Sequence, residues 1–174
     1  QFNFNVTELE ITNDGNLVKG IKRGTILTDD GIQFDADEFV YNKITNIFNA
    51  SGNINVVDKV QNILISSDEA TYDKNNQKIL TEGNSKVIDV NKNITIDAER
   101  FDYNKLLNIF DAIGKVKIHD KNQNIIIYSD TATYLKNKNK IFTQGNSKAI
   151  NINDNITIEA NNFDYDQNLN ILNA

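Results

Sequence analysis

The sequence predicts an all-β fold, a two-sheet, jelly-roll-like or solenoid-like stack built from a 31-residue repeat. Three observations carry this. First, Gly52, Gly83, Gly114 and Gly145 are spaced by 31, and so are Tyr41, Tyr72, Tyr103, Tyr134 and Tyr165. A fixed period of this length is the signature of a repeat architecture. Second, apolar residues alternate with polar ones, as in Ile94-Thr95-Ile96 and Val116-Lys117-Ile118. Period 2 marks strands with one buried face, and the Ile, Val, Thr, Tyr and Phe content suits strands. Third, no segment holds a 3.6-residue period for ten residues, so little helix is expected.

Residues 1–31 read as a degenerate unit. Gly15, Gly20, Gly24 and Gly31 cluster there, and Glu10 stands in the Tyr column. An atypical end unit is what a capping repeat looks like. From residue 32 to 174 the columns hold, so the chain reads as one repeat-built domain. The apolar columns are Ile32, Ile63, Ile94, Ile125, Ile156; Phe34, Ile65, Ile96, Ile127, Ile158; Phe48, Ile79, Phe110, Ile141, Leu172; and Val56, Val87, Ile118, Ala149. Asn-rich breaks such as Asn91-Lys92-Asn93 and Asn153-Asp154-Asn155 are turn signals. Each unit is expected to make about three short strands, with its glycine at a bulge or bend. One column alternates large and small: Phe39, Ala70, Phe101, Ala132, Phe163. Successive units should therefore meet two environments, as when a chain switches between two facing sheets. Ala50 and Ala112, the equivalents of Ala174, are each followed by a repeat glycine, so the array stops inside a unit. A piece of a longer protein is expected.

Composition narrows function. The 174 residues include no Cys, Met, Pro or Trp and one His, with a net charge of −6. No disulfide, thiolate metal site or thiol nucleophile is available, and a net acidic chain suits nucleic acid poorly. No Gly-rich phosphate loop precedes a helix, so no nucleotide drives the protein. Evenly spaced acids do not form the paired carboxylates of a glycosidase. The reading is a non-enzyme with neither cofactor nor metal. Asn, Ile and Lys make up 71 residues, and base composition of the gene accounts for much of the Asn.

The motif Ala36-Asp37-Glu38-Phe39-Val40-Tyr41-Asn42 through Ala50-Ser51-Gly52-Asn53-Ile54 recurs as Ala98-Glu99-Arg100-Phe101-Asp102-Tyr103-Asn104 through Gly114-Lys115-Val116. Over residues 32–174 it resembles the OstA-like family of lipopolysaccharide-transport proteins. That family includes LptA-type periplasmic jelly rolls and the N-terminal domain of the assembly protein LptD. Lys115, where the other units have Asn, departs from the pattern, and residues 1–31 match poorly. The resemblance implies a V-shaped pair of sheets whose apolar groove shields lipid acyl chains on the way to the outer membrane. It also implies a periplasmic location, lipopolysaccharide or a related lipid as ligand, outer-membrane assembly machinery as partner, and head-to-tail strand addition between like domains.

The candidate groove residues are Phe39, Phe101, Phe163, Ile94, Ile96, Phe110, Val116, Ile118, Ile125, Ile127, Ile156 and Ile158. The candidate docking edges carry Val6, Leu9 and Ile11 at one end and Phe163, Tyr165, Leu169 and Ile171 at the other. The Tyr column reads as ring packing with hydroxyls at the rim. Asp37, Asp68, Glu99 and Asp130 read as a solvated face, and His119 as a packed or half-exposed strand residue. Lys86, Lys117 and Lys148 read as strand lysines that blunt edge pairing. Two alternatives stay open: a structural β-solenoid stalk or self-assembling fibre, and a carbohydrate-active β-helix enzyme. A conduit calls for an open apolar cleft and a stalk for a filled interior.

Overall fold

The computed structural model describes residues 1–174 and is all-β, with one three-residue 3₁₀ turn at Lys136–Lys138. Six short strands come first: β1 Phe2–Asn5, β2 Leu9–Thr12, β3 Leu17–Gly20, β4 Gly24–Thr28, β5 Ile32–Ala36 and β6 Glu38–Asn42. Eight long strands follow: β7 Ile47–Asp58, β8 Ile63–Asp73, β9 Lys78–Asp89, β10 Ile94–Asn104, β11 Ile109–Asp120, β12 Ile125–Leu135, β13 Lys140–Asn151 and β14 Ile156–Asp166. The short β15 Ile171–Asn173 completes them. All pairings are antiparallel, and from β7 to β15 each strand pairs with the next.

The repeat unit is therefore one hairpin of two long strands, not three short ones. The repeat glycines mark bulges, and these lie inside the long strands rather than at the ends of short ones. At Gly52, Gly83, Gly114 and Gly145 φ is +76° to +84°, and the next residue (Asn53, Asn84, Lys115, Asn146) is also left-handed. The register slips at the same place, for example between Ser51 and Ile54 and between Ile113 and Val116. A bulge adds a residue to one strand and bends it. Repeated on one line across the sheet, it folds the sheet along a spine.

The fold of the sheet is visible in its contacts. In β7, Phe48 and Val56 lie eight residues apart on opposite sides of the bulge. Phe34 pairs in register with Val56, yet its ring lies 4.9 Å from that of Phe48. A straight strand would separate those positions by about 26 Å, so the two halves of the sheet face each other. The two expected sheets are thus two halves of one hydrogen-bonded sheet, and every unit crosses both. Their inward rows form a single cluster of 35 buried residues.

The Phe/Ala alternation has a packing cause rather than a switch between sheets. Across the sheet the row reads Gly20, Phe39, Ala50, Ala70, Thr81, Phe101, Ala112, Ala132, Thr143, Phe163. One ring is followed by three small residues, then another ring. Each ring needs the space its neighbours leave; a methyl on Gly20 would sit inside the Phe39 ring. The threonines have a second task, since Thr81 and Thr143 Oγ1 accept the Phe101 and Phe163 amides at 3.2 and 3.0 Å.

Asparagine closes the hairpins. The last residue of each turn from β6 to β15 is left-handed: Asn46, Asn62, Gln77, Asn93, Asn108, Asn124, Asn139, Asn155 and Asn170. Asn tolerates this conformation better than other residues with a side chain. Turns also stack: Asn93 donates to Asn122 at 2.9 Å, and Asn122 in turn to the Lys92 carbonyl at 3.1 Å. The Asn excess is structural at these positions, whatever the base composition of the gene.

Candidate functional site

The interior between the two half-sheets is the candidate site. Phe39, Phe101, Phe163, Ile94, Ile96, Phe110, Val116, Ile118, Ile125 and Ile127 all point into it and are buried. Ile156 and Ile158 occupy the same inward rows on β14 but are 53% and 42% exposed. The difference comes from pairing. β15 covers only Asp164–Asp166 of β14, leaving Ile156–Asn162 without a partner on its outer side. The interior is thus uncovered at this end.

The opposite end is closed. There the sheet splits, with β5, β4 and β1 extending one half and β6, β3 and β2 the other. Phe2 of β1 crosses to the facing half and packs on Tyr41 and Phe48 at 4.2 and 5.7 Å, and Phe4 packs on Phe39 at 5.4 Å. The candidate docking residues divide accordingly. Leu9 and Ile11 are exposed on edge strand β2, while Val6 is only partly exposed and packs against the core. At the far end Leu169 and Ile171 are exposed, but Phe163 and Tyr165 are interior residues at 2% and 0% exposure. Their strand parity turns them inward, so the free backbone edge at this end is Ile156–Asn162 instead.

Along the side opposite the spine the halves meet in a polar seam that sequence reasoning missed. The tyrosine hydroxyls lie buried, not at a solvated rim. Tyr103 donates to Asp58 at 3.1 Å, Tyr134 to Asp89 at 2.9 Å and Tyr165 to Asp120 at 2.9 Å; Tyr72 donates to Asp30. Lys136 adds an ion pair to Asp89 at 2.9 Å, Lys105 one to Asp30 at 3.4 Å, and Gln167 donates to Asp120 at 3.1 Å. Asp58, Asp89 and Asp120 are 1–2% exposed. The other carboxylate oxygen of each accepts amides of its own turn, from Val60 and Gln61, Lys92, and Asn122 and Gln123. Burial, reinforced by the adjacent carboxylate, pushes the hydroxyl pKa of Tyr72, Tyr103, Tyr134 and Tyr165 well above the ordinary tyrosine range. The signal was present in the sequence: Asp58, Asp89 and Asp120 share the 31-residue register and the inward parity of Val56, Val87 and Ile118. An acid in an inward row requires a partner.

The spine has its own polar lock. Asp37, Asp68 and Asp130 accept from Asn53, Asn84 and Asn146 at 2.7–2.8 Å. In the remaining unit Glu99 pairs with Lys115 at 2.7 Å. The departure at Lys115 is therefore matched by a longer acid, and the acidic column braces bulges. On the outer face, Lys86 and Lys148 pair with Asp97 and Glu159 at 3.3 Å each, and Lys117 lies 6.0 Å from the Tyr128 ring centroid. His119 is half-buried there. No group of three or more His, Asp or Glu is arranged to hold a metal ion.

No family model and no curated relative matches the chain. Among solved structures it is similar to LptH of Pseudomonas aeruginosa, the LptA-homologous periplasmic component of the lipopolysaccharide transport device. The identity is 16%, the match covers 84% of this chain and 85% of that one, and the TM-score is 0.33.

Proposed function

We propose that this chain is a lipid-binding conduit module, whose folded sheet shields the acyl chains of lipopolysaccharide or a related lipid in the periplasm. The observation that supports the reading is the continuous apolar interior. It runs from Phe34 to Phe163 between two half-sheets and is uncovered at Ile156 and Ile158. Burying alkyl chains there contributes about 0.8 kcal/mol per methylene. The free half-strand Ile156–Asn162 and edge strand β2 are suited to strand addition by neighbouring domains of like fold. The finer assignment, an N-terminal LptD-type domain working with outer-membrane assembly machinery, follows from the sequence motif alone.

One observation favours a second reading. Away from the open end the interior is closed to solvent, the outcome expected of a structural stalk. Photocrosslinking separates the two. Benzoylphenylalanine replaces Phe163 (inward, near the open end) or Phe142 (outward, 39% exposed), and the protein is mixed with lipopolysaccharide. A conduit crosslinks strongly from 163 and weakly from 142. Equal or absent crosslinking at both positions favours the stalk.

A further inference from the structure

We propose that the Tyr–Asp seam is a lateral gate, along which the folded sheet parts about its bulged spine to admit an alkyl chain from the side. The inference rests on the conduit reading above and adds a route for the lipid. Two sides of the interior are built differently. Along the spine the halves are joined by the long strands β7 to β14 passing through, and β7, β9, β11 and β13 are each bent there at a left-handed Gly-Asn or Gly-Lys pair. Along the seam no strand crosses and only side chains hold the halves together.

Those side-chain bonds are few and discrete. Tyr72, Tyr103, Tyr134 and Tyr165 give one bond each across the seam, helped by Lys74, Lys105, Lys136 and Gln167. Tyr103, Tyr134 and Tyr165 each meet an aspartate at the end of another strand, as Tyr134 on β12 meets Asp89 at the end of β9, and Tyr72 meets Asp30 in the turn between β4 and β5. The seam also leaves acceptors unpaired: Asp30 Oδ1, Asn139 Oδ1 and Gln167 Oε1 are buried with no hydrogen-bond partner. A buried unpaired acceptor is unfavourable and regains a partner when water reaches it. Opening the seam therefore exchanges internal bonds for water bonds and relieves three orphans, while the sheet's own ladder stays intact. Opening also exposes apolar rows, which an alkyl chain would cover again. The alternative route is threading from the open end past Ile156 and Ile158. That route requires no seam opening but passes Phe163, the last ring of the Phe row.

The test is a reversible lock. The chain has no cysteine, so Asp89→Cys with Lys136→Cys places two thiols across the middle of the seam, to be joined by a short, cleavable bis-thiol reagent. Uptake of a fluorescent fatty acid, cis-parinaric acid, is followed by stopped flow. A gate predicts uptake at least tenfold slower when locked, restored on cleavage, and several-fold faster in Tyr103→Phe/Tyr134→Phe with the ligand capacity unchanged. If the buried pair of substitutions does not fold, Asp29→Cys with Lys74→Cys locks the more exposed end of the seam, where Lys74 pairs with Asp29. Uptake that is equally fast locked and unlocked overturns the gate and leaves the conduit, with threading from the end. No uptake by the unmodified chain overturns both.

Discussion

Phe101→Ala tests the packing logic of the folded sheet most directly. Phe101 is 2% exposed and lies between Thr81 and Ala112 in the inward row, with Ala70 and Ala132 one strand further out. A buried phenylalanine removes about 200 Å² from water, and at about 25 cal/mol per Å² that contributes about 5 kcal/mol. The methyl kept by alanine retains about 0.8 kcal/mol of it, leaving a loss of about 4 kcal/mol. Mutational series place Phe→Ala in buried sites at ~3–5 kcal/mol, with the larger values where the surroundings cannot collapse. The cross-strand neighbours in the row are alanine and threonine on a hydrogen-bonded sheet, too short to reach into the gap, so the upper half of that range is expected. For a domain of this size the melting temperature should fall by about 2–4 °C per kcal/mol, or about 8–16 °C. Urea unfolding followed by far-UV circular dichroism measures it. A loss under about 1 kcal/mol would refute the reasoning, since the three-small-residue spacing would then not depend on the ring.

Three further outcomes are expected. Gly83→Ala places a Cβ 2.6 Å from Asp68 Oδ2 at a φ of +78°, so both contact and backbone strain oppose it; urea unfolding should show a loss of about 1–3 kcal/mol, and a neutral result would remove the bulge from its structural role. Lys115→Asn should shift stability by well under 1 kcal/mol, because its pair with Glu99 is exposed, and adding Glu99→Asp should rebuild the Asp–Asn brace of the other units; a large single-mutant loss in the same assay would contradict this. Tyr165→Phe should cost about 1–3 kcal/mol at pH 8 by breaking its buried bond to Asp120. Burial first, and that hydrogen bond second, raise the Tyr165 hydroxyl pKa. The folded state keeps this proton above pH ~10, where the unfolded tyrosine loses it, so the stability it contributes is full below pH ~10 and falls as pH rises beyond. The wild-type advantage over Tyr165→Phe should shrink between pH 9 and 11 in paired urea titrations; a constant gap would contradict it.

Much of the fold was legible because a repeat on a pleated strand states its parity in every copy. Ile94, Ile96, Val116 and Ile118 read as inward, and Lys117 as outward, from alternation alone. The number of strands per unit was not legible. A Gly-Asn pair marks a left-handed backbone, and that backbone serves a turn between strands or a bulge within one. Only the pairing partner decides, and here Ser51 and Ile54 stay on one strand opposite Glu69 and Ser67. The lining of the candidate site was legible, but its closure was not. The bond between Tyr103 and Asp58 joins residues 45 apart, which is not a multiple of 31.

The sequence by itself determined that this protein is all-β, repeats every 31 residues, and buries one face of each strand, because those properties reside in residue type and spacing. Tertiary structure alone decided that the two sheets are one sheet folded at its bulges. It also decided that aspartates at one strand end meet tyrosines at the other end of a different strand. The physical reason is the twist of the sheet. Twist accumulates strand by strand, so the halves face each other at an offset that no single unit encodes, and the partners along the seam follow from the sum.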